Sequence, residues 1–262
     1  MTDFPPIFIV SLKDATSRRA GMQVQMEKLG LSFEFFDAFD GRKTDVLAQK
    51  HYNGPRRLAY WGRHLDGGEW GCLMSHMNIY KHMLENNLPH AIILEDDALL
   101  DPQFKTVIEN MLKIDMGCEL IRFFGSPKVA GKKQRRIVEL APGIWLSRLP
   151  SIHGGSHAYY ITQGGARKML HHFETKGASY PIDFYLGHNW ETGIQALSIN
   201  PLAKQDLSYV SAIGDDREDA KRDLKGIMRL AFPFTRGWYK ISTLLRKQWI
   251  YKTTYTQDTN KP

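Results

Sequence analysis

Cysteine is nearly missing from this chain. Its 262 residues hold two, Cys72 and Cys118, too few for a disulfide framework, so a reducing compartment is expected. No apolar run reaches the roughly 18 to 20 residues that a spanning helix requires. The early apolar stretch from Phe4 to Leu12 lacks a basic leader and stops at Asp14, Arg18 and Arg19, so no secretory signal is expected. Internal repeats and low-complexity tracts are absent as well. The expected location is the cytoplasm or the inner face of the cytoplasmic membrane. With 42% apolar residues, the chain is long enough to bury a substantial core as one α/β domain with a small appendage.

Acid is absent from one region in particular: Gly226 to Lys252 contains none. Residues 1–216 carry 24 Lys/Arg against 24 Asp/Glu, whereas residues 217–252 carry 10 against three (Glu218, Asp219 and Asp223). The whole excess of +7 therefore lies in one C-terminal segment. A neutral main part argues against a nucleic-acid groove and confines any anionic partner to that segment. The segment sets Phe232, Phe234, Trp238, Tyr239, Trp249 and Tyr251 beside Arg229, Arg236, Lys240, Arg246, Lys247 and Lys252. Aromatics among cations suit an anionic membrane surface, with residues 226–252 as the anchor. The competing reading is a helix packed on its own domain. The expected division is residues 1–215 and residues 216–262.

The main part reads as alternating strands and helices. Strands are expected at Ile7–Leu12, Phe33–Phe39, Ala91–Leu94, Leu120–Phe124 and His157–Ile161. Helices are expected at about Ser17–Leu29, Ser75–Asn86, Asp101–Lys113 (Asp101 as N-cap, Pro102 following) and Gln163–Phe173. Residues 42–70, rich in glycine, read as a long loop of the kind that forms lids. A basic loop runs from Lys128 through Lys132, Lys133 and Arg135 to Arg136; it suits a phosphorylated acceptor or is simply solvated. This alternation predicts an α/β fold with a mostly parallel twisted sheet flanked by helices.

Glu95-Asp96-Asp97 follows directly on a buried apolar strand. Ligands bind at the carboxyl ends of strands in open α/β sheets. Side chains alternate along an extended chain, so Glu95 and Asp97 point one way and Asp96 the other. Two oxygen ligands on one side suit magnesium or manganese holding a diphosphate. The plain alternative is a solvated acidic turn. The triplet alone points to metal and phosphate, and does not point to sugar.

Four stretches taken together are more specific. They are Ile7–Leu12 with Arg18-Arg19; Phe36-Asp37-Ala38-Phe39-Asp40-Gly41; Gly68-Glu69-Trp70-Gly71-Cys72-Leu73-Met74-Ser75-His76; and Ile93-Leu94-Glu95-Asp96-Asp97. In this order the chain resembles glycosyltransferase family 25, which includes bacterial lipooligosaccharide galactosyltransferases and relatives of the collagen galactosyltransferases. The resemblance runs from about residue 5 to 210. Tyr180-Pro181-Ile182-Asp183 matches a further segment, with Ile where the family has Val. The basic C-terminal segment has no counterpart in it.

The resemblance implies a GT-A-like fold, a uridine diphosphate (UDP) sugar donor, a divalent metal and inversion at the anomeric carbon. In that frame Asp97 and Glu95 are metal ligands, and His188 is a third. His157 and Gln205 are further candidates for a metal or diphosphate contact. Ser11, Leu12, Arg18, Ser75, His76 and Asp96 are expected to bind donor, with Ser75 also capping a helix. Asp183 is the expected base that deprotonates the acceptor hydroxyl. Galactose is the expected sugar and a lipid-linked oligosaccharide, as in lipopolysaccharide or lipooligosaccharide, the expected acceptor. A carbohydrate- or anion-binding module and a glycoside hydrolase are the rival uses of the same carboxylates.

Overall fold

The apolar runs form central strands because both of their faces are buried. In β1 (Ile7–Ser11) every residue is buried; Ile7 and Ile9 face one core while Phe8 and Val10 face the other. β3 (His90–Glu95) repeats this with Ile92 and Leu94 against Ala91 and Ile93, the period-two alternation of a strand covered on both sides. The computed structural model describes residues 4–114, 117–123, 134–149, 155–199, 202–206, 208, 223–255 and 258. Among these, eight strands form one sheet in the order β2-β1-β3-β8-β5-β9-β7-β6. The others are β2 (Glu34–Asp37), β5 (Leu120–Arg122), β6 (Arg135–Ala141), β7 (Ile144–Arg148), β8 (Ala158–Thr162) and β9 (Ala196–Ile199). β4 (Ala98–Leu100) and β10 (Ala203–Gln205) form a separate antiparallel ribbon.

The sheet is mixed, which corrects the expectation of a mostly parallel one. β2, β1 and β3 run parallel, as do β5 and β9. β8 enters antiparallel between β3 and β5, and β7 pairs antiparallel with both β9 and β6. The cause is the connection. Parallel neighbours need a long crossover, usually helical, and the described chain between β5 and β8 holds the β6–β7 hairpin and no helix. That hairpin starts at Arg135, inside the span expected to be a basic loop; Lys128, Lys132 and Lys133 lie outside the described residues.

Helices α1 (Thr16–Leu29) and α4 (Phe104–Leu112) cover one face through Met22, Met26, Phe104, Val107, Ile108 and Met111. α4 begins later than expected, because the Asp101 carboxylate accepts the Gln103 N–H at 2.8 Å and closes a turn ahead of the helix. α3 (Gly67–Glu85), α5 (Gln163–Lys176) and α6 (Ile182–Gly187) cover the other face.

The expected lid at 42–70 is partly helical instead. It contains a 3-10 turn (Val46–Ala48), α2 (Gly54–Trp61) and the start of α3. Asp66 caps α3 and forms a reciprocal capping box with Glu69. Buried Glu69 also binds Arg63 through two hydrogen bonds of 2.7 and 2.9 Å. Of the glycines that suggested a loop, Gly62 ends α2 in the left-handed region and Gly67 serves close approach, a Cβ on it standing 2.1 Å from the Gly41 carbonyl oxygen. A Cβ on Gly41 would stand 1.8 Å from the Gly67 carbonyl oxygen, and one on Gly71 would stand 2.7 Å from the Phe39 carbonyl oxygen. The turn after β2 thus lies backbone to backbone on the first turns of α3. Ser75 fastens the contact, accepting the Phe39 N–H at 2.8 Å and donating to the Gly71 carbonyl at 2.7 Å. Ser75 is therefore a buried residue of the helix interior and not an N-cap.

The C-terminal segment forms α8 (Gly226–Thr253), which packs on α2. Tyr239 stacks on Tyr60 with 4.8 Å between ring centroids, and Arg236 donates to the Tyr60 carbonyl. His188, between α6 and α7 (Asn189–Thr192), completes the seam. Its Nε2 pairs with the Tyr239 hydroxyl at 2.8 Å, its Nδ1 with the Phe184 carbonyl, and its ring stacks on Tyr180. Residues 209–222, and with them the expected boundary near 215, lie outside the described residues.

Two outcomes follow from this packing. Gly71→Ala forces its new methyl into backbone and lowers stability by about 1–3 kcal/mol, to be read by urea unfolding. Burial pushes the His188 imidazole down to about 4 from 6.5, against the Phe184 carbonyl, which favours the charged form. Its contribution is complete above about pH 6.5 and is lost as pH falls towards 4. Urea unfolding across that range shows a loss of stability that His188→Gln flattens.

Candidate active site

The Glu95-Asp96-Asp97 triplet closes β3 and turns into β4, so its three acids stand at the carboxyl end of the central parallel strands. Asp96 points towards the end of β1. It accepts from the Ser11 hydroxyl at 2.6 Å and pairs with Arg18 at 2.9 Å. Arg19 continues this layer, donating to the Ser11 and Leu12 carbonyls and pairing with Asp37 at 2.7 Å. Ser11, Leu12, Arg18 and Asp96 are thus brought together in one hydrogen-bonded corner.

Glu95 and Asp97 take the other side and share His157. Its Nδ1 lies 3.4 Å from a Glu95 oxygen and 3.3 Å from an Asp97 oxygen. His157 arrives there because β8 is antiparallel to β3, which sets the start of β8 beside the end of β3. The Glu95 N–H donates to the His157 carbonyl at 2.8 Å and fixes this register. Gln205, on β10, donates to the second Asp97 oxygen at 3.1 Å.

Ser156 links the triplet to Asp183. Its hydroxyl meets the Asp183 carboxylate at 2.7 Å and also contacts Glu95. One hydroxyl carries one proton, so it cannot donate to two carboxylates at once. Asp183 is in the first turn of α6, after Pro181. Three carboxylates from two distant parts of the chain therefore converge around one serine and one histidine.

Positive charge compensates this crowding. Burial opposes the charge on His157, yet Asp97 and Glu95 overcome it and push the imidazole up to about 10. Burial alone would raise Glu95, but hydrogen bonding to His157 and His76 outweighs it and holds the carboxyl well below its usual range. Arg122, on β5, is fully buried, and none of its guanidinium nitrogens has a hydrogen-bond partner among the described residues. Burial lowers its pKa, while the charge of Asp183, then Tyr159 and Glu95, opposes that fall. The Cys72 thiol is pushed up by burial and then by Glu95, Asp183 and Asp97.

The donor set fits a hard divalent cation. Glu95, Asp97 and, once a cation has displaced its proton, His157 each offer a ligand atom, and these atoms lie within 4.8 Å of one another. Cys72, His76 and Glu95 form a second such group, sharing Glu95 but contributing a softer thiol. His76 is not at a helix N-terminus as expected. It is buried inside α3, its Nδ1 paired with the Tyr159 hydroxyl at 2.6 Å and its Nε2 3.6 Å from Glu95.

His188, expected as the third ligand, is not brought to the cluster: both ring nitrogens are engaged in the α8 seam. Sequence reasoning missed Ser156 and Arg122. Nothing local marks either residue, since each acquires its place through sheet topology.

A model of glycosyltransferase family 25, described as an LPS biosynthesis protein family, matches residues 4–186. The match takes in the triplet, Ser156, His157 and Asp183, and stops before His188, Gln205 and α8. Relatives include the probable inactive glycosyltransferase 25 family member 3 of Rattus norvegicus, 28% identical over 79% of this chain and 39% of its own length. Procollagen galactosyltransferase 1-B of Xenopus laevis is 26% identical over 80% of this chain and 37% of its own. A glycosyltransferase 25 family member of Anopheles gambiae is 27% identical over 82% and 39%. The chain spans about two fifths of the length of these curated relatives. The crystal structure of A197 from STIV aligns over 79% of this chain and 86% of its own, with a TM-score of 0.38 and 12% identity, too remote to carry an argument. With the family model matching well over half of its residues, the chain belongs to glycosyltransferase family 25.

Proposed function

We propose that the protein is an inverting glycosyltransferase that moves a sugar, galactose, from its UDP ester to a lipid-linked oligosaccharide of the lipopolysaccharide type. The carrying observation is the convergence of Glu95, Asp97 and His157 in one ligand set, with Asp183 joined to it through Ser156. The family description supports the acceptor class, and the name of the Xenopus laevis relative supports galactose. The parallel β2-β1-β3 unit, with its acids at the carboxyl end, supports a GT-A-like nucleotide site.

Glu95, Asp97 and His157 would hold a manganese or magnesium ion. When bound, such an ion neutralises charge on the departing diphosphate. Asp96, held by Ser11 and Arg18, orients the donor corner without joining the ligand set. Asp183 accepts the proton of the acceptor hydroxyl as that oxygen bonds to the anomeric carbon and the bond from that carbon to the diphosphate oxygen breaks. Ser156 steers the Asp183 carboxylate. The charge of Asp183 in turn opposes the fall that burial imposes on the pKa of Arg122.

Calorimetry with UDP, with and without manganese, separates these roles. Manganese-dependent binding is expected for the wild type and for His188→Gln, and is expected to vanish in Asp97→Asn and weaken in His157→Gln. Equal loss in the two histidine variants would return the third ligand to His188. Asp183→Asn is expected to keep UDP binding while sugar transfer falls about 10²–10⁴-fold. UDP binding by the wild type without transfer to any acceptor would place the chain with the relatives whose names call them inactive.

A further inference from the structure

α8 turns one face to α2 and leaves another with nothing upon it among the described residues. Phe232 and Tyr239 are buried. Ile227, Leu230, Phe234, Trp238, Ile241, Leu245 and Trp249 are all between 56% and 81% exposed. Their spacing is 3, 4, 4, 3, 4 and 4 residues, a repeat of 11 residues in three turns. That period, about 3.67, runs almost straight along an α-helix, whereas a left-handed two-helix seam requires the shorter period of 3.5. The stripe covers 22 intervals, about 33 Å at 1.5 Å per residue.

Charge distinguishes between possible occupants. The same helix exposes Arg229, Lys240, Arg246 and Lys252, while Arg236 and Lys247 turn inward to the Tyr60 carbonyl and the Trp190 ring, and it has no acid from Gly226 to Lys252. A second copy laid on this face would bring like charges together. An anionic lipid surface complements both the apolar stripe and the cations. No helix among the described residues is long and apolar enough to cross a membrane.

We infer that α8 lies flat on an anionic lipid surface, inserting the Ile227–Trp249 stripe between the headgroups. The inner face of the helix meets His188 and Tyr180, which flank the α6 segment carrying Asp183. Docking therefore fixes the acceptor side of the candidate site relative to the bilayer. The inference concerns the outer face of α8 alone and stands whether or not the proposed sugar transfer does.

The test is sedimentation of the full chain with sucrose-loaded vesicles of phosphatidylcholine, alone or mixed with phosphatidylglycerol. Binding is expected to the mixed vesicles, to weaken with salt, and to be slight on phosphatidylcholine alone. Trp238→Ser with Ile241→Ser should lower partition by about tenfold or more. Because both positions are exposed, circular dichroism and melting should be unchanged. Calorimetry with UDP in solution should also be unchanged, which separates this surface from the nucleotide site. Equal sedimentation of variant and wild type, or indifference to lipid charge, would overturn the inference. A concentration-dependent dimer abolished by the same variant, with no vesicle binding, would overturn it too and assign the stripe to a second copy.

Discussion

Negative charge gathered at the end of a buried strand has to be balanced, and much of the surrounding architecture supplies that balance. Glu95 and Asp97 share His157, Asp96 is held by Arg18, and Asp183 lies within the field of the buried Arg122. These compensating groups come from α1, β5 and the start of β8, elements separated by long stretches of sequence. Burial strengthens each of these interactions and penalises any member left alone. The set is therefore interdependent, and a divalent cation joining it would enter a site already organised around opposite charge.

The second constraint is steric. The turn after β2 and the first turns of α3 approach so closely that Gly41, Gly67 and Gly71 leave no space for a Cβ. This contact places α3 against the sheet and presents Cys72 and His76 towards Glu95. Two of the stretches that carried the family resemblance, around Phe36–Gly41 and Gly68–His76, prove to be the two halves of one backbone contact. Glu69, conspicuous beside Gly68 in the sequence, holds Arg63 and caps α3 instead of facing the triplet.

Local pattern made much of this legible. The two-sided strands β1 and β3, the position of the triplet at a strand end and the opposite pointing of Asp96 all follow from alternation and burial. What was hidden depended on non-local geometry. The antiparallel entry of β8 carries His157 and Ser156 to Glu95, and no periodicity announces that direction. His188 was misplaced for a related reason: a histidine near the matched Asp183 segment looked like a ligand, while its partner Tyr239 lies 51 residues further on. Residues 42–70 read as a loop because of their glycines, whereas Gly62 ends a helix and Gly67 permits a backbone contact.

The direction of β8 also sets an order of assembly. A chain grown only as far as the triplet already has all three acids of that motif, yet lacks the strand that brings His157 and the serine shared with Asp183. Those contacts join residues about 60 positions apart, so they cannot form before the chain has reached β8. Until the central gap between β3 and β5 is filled, Asp96 has Arg18 but Glu95 and Asp97 lack His157. The candidate site at the end of the sheet thus gains His157 and Ser156 only when β8 is in place, and cation affinity becomes a measure of whether the middle of the sheet has closed.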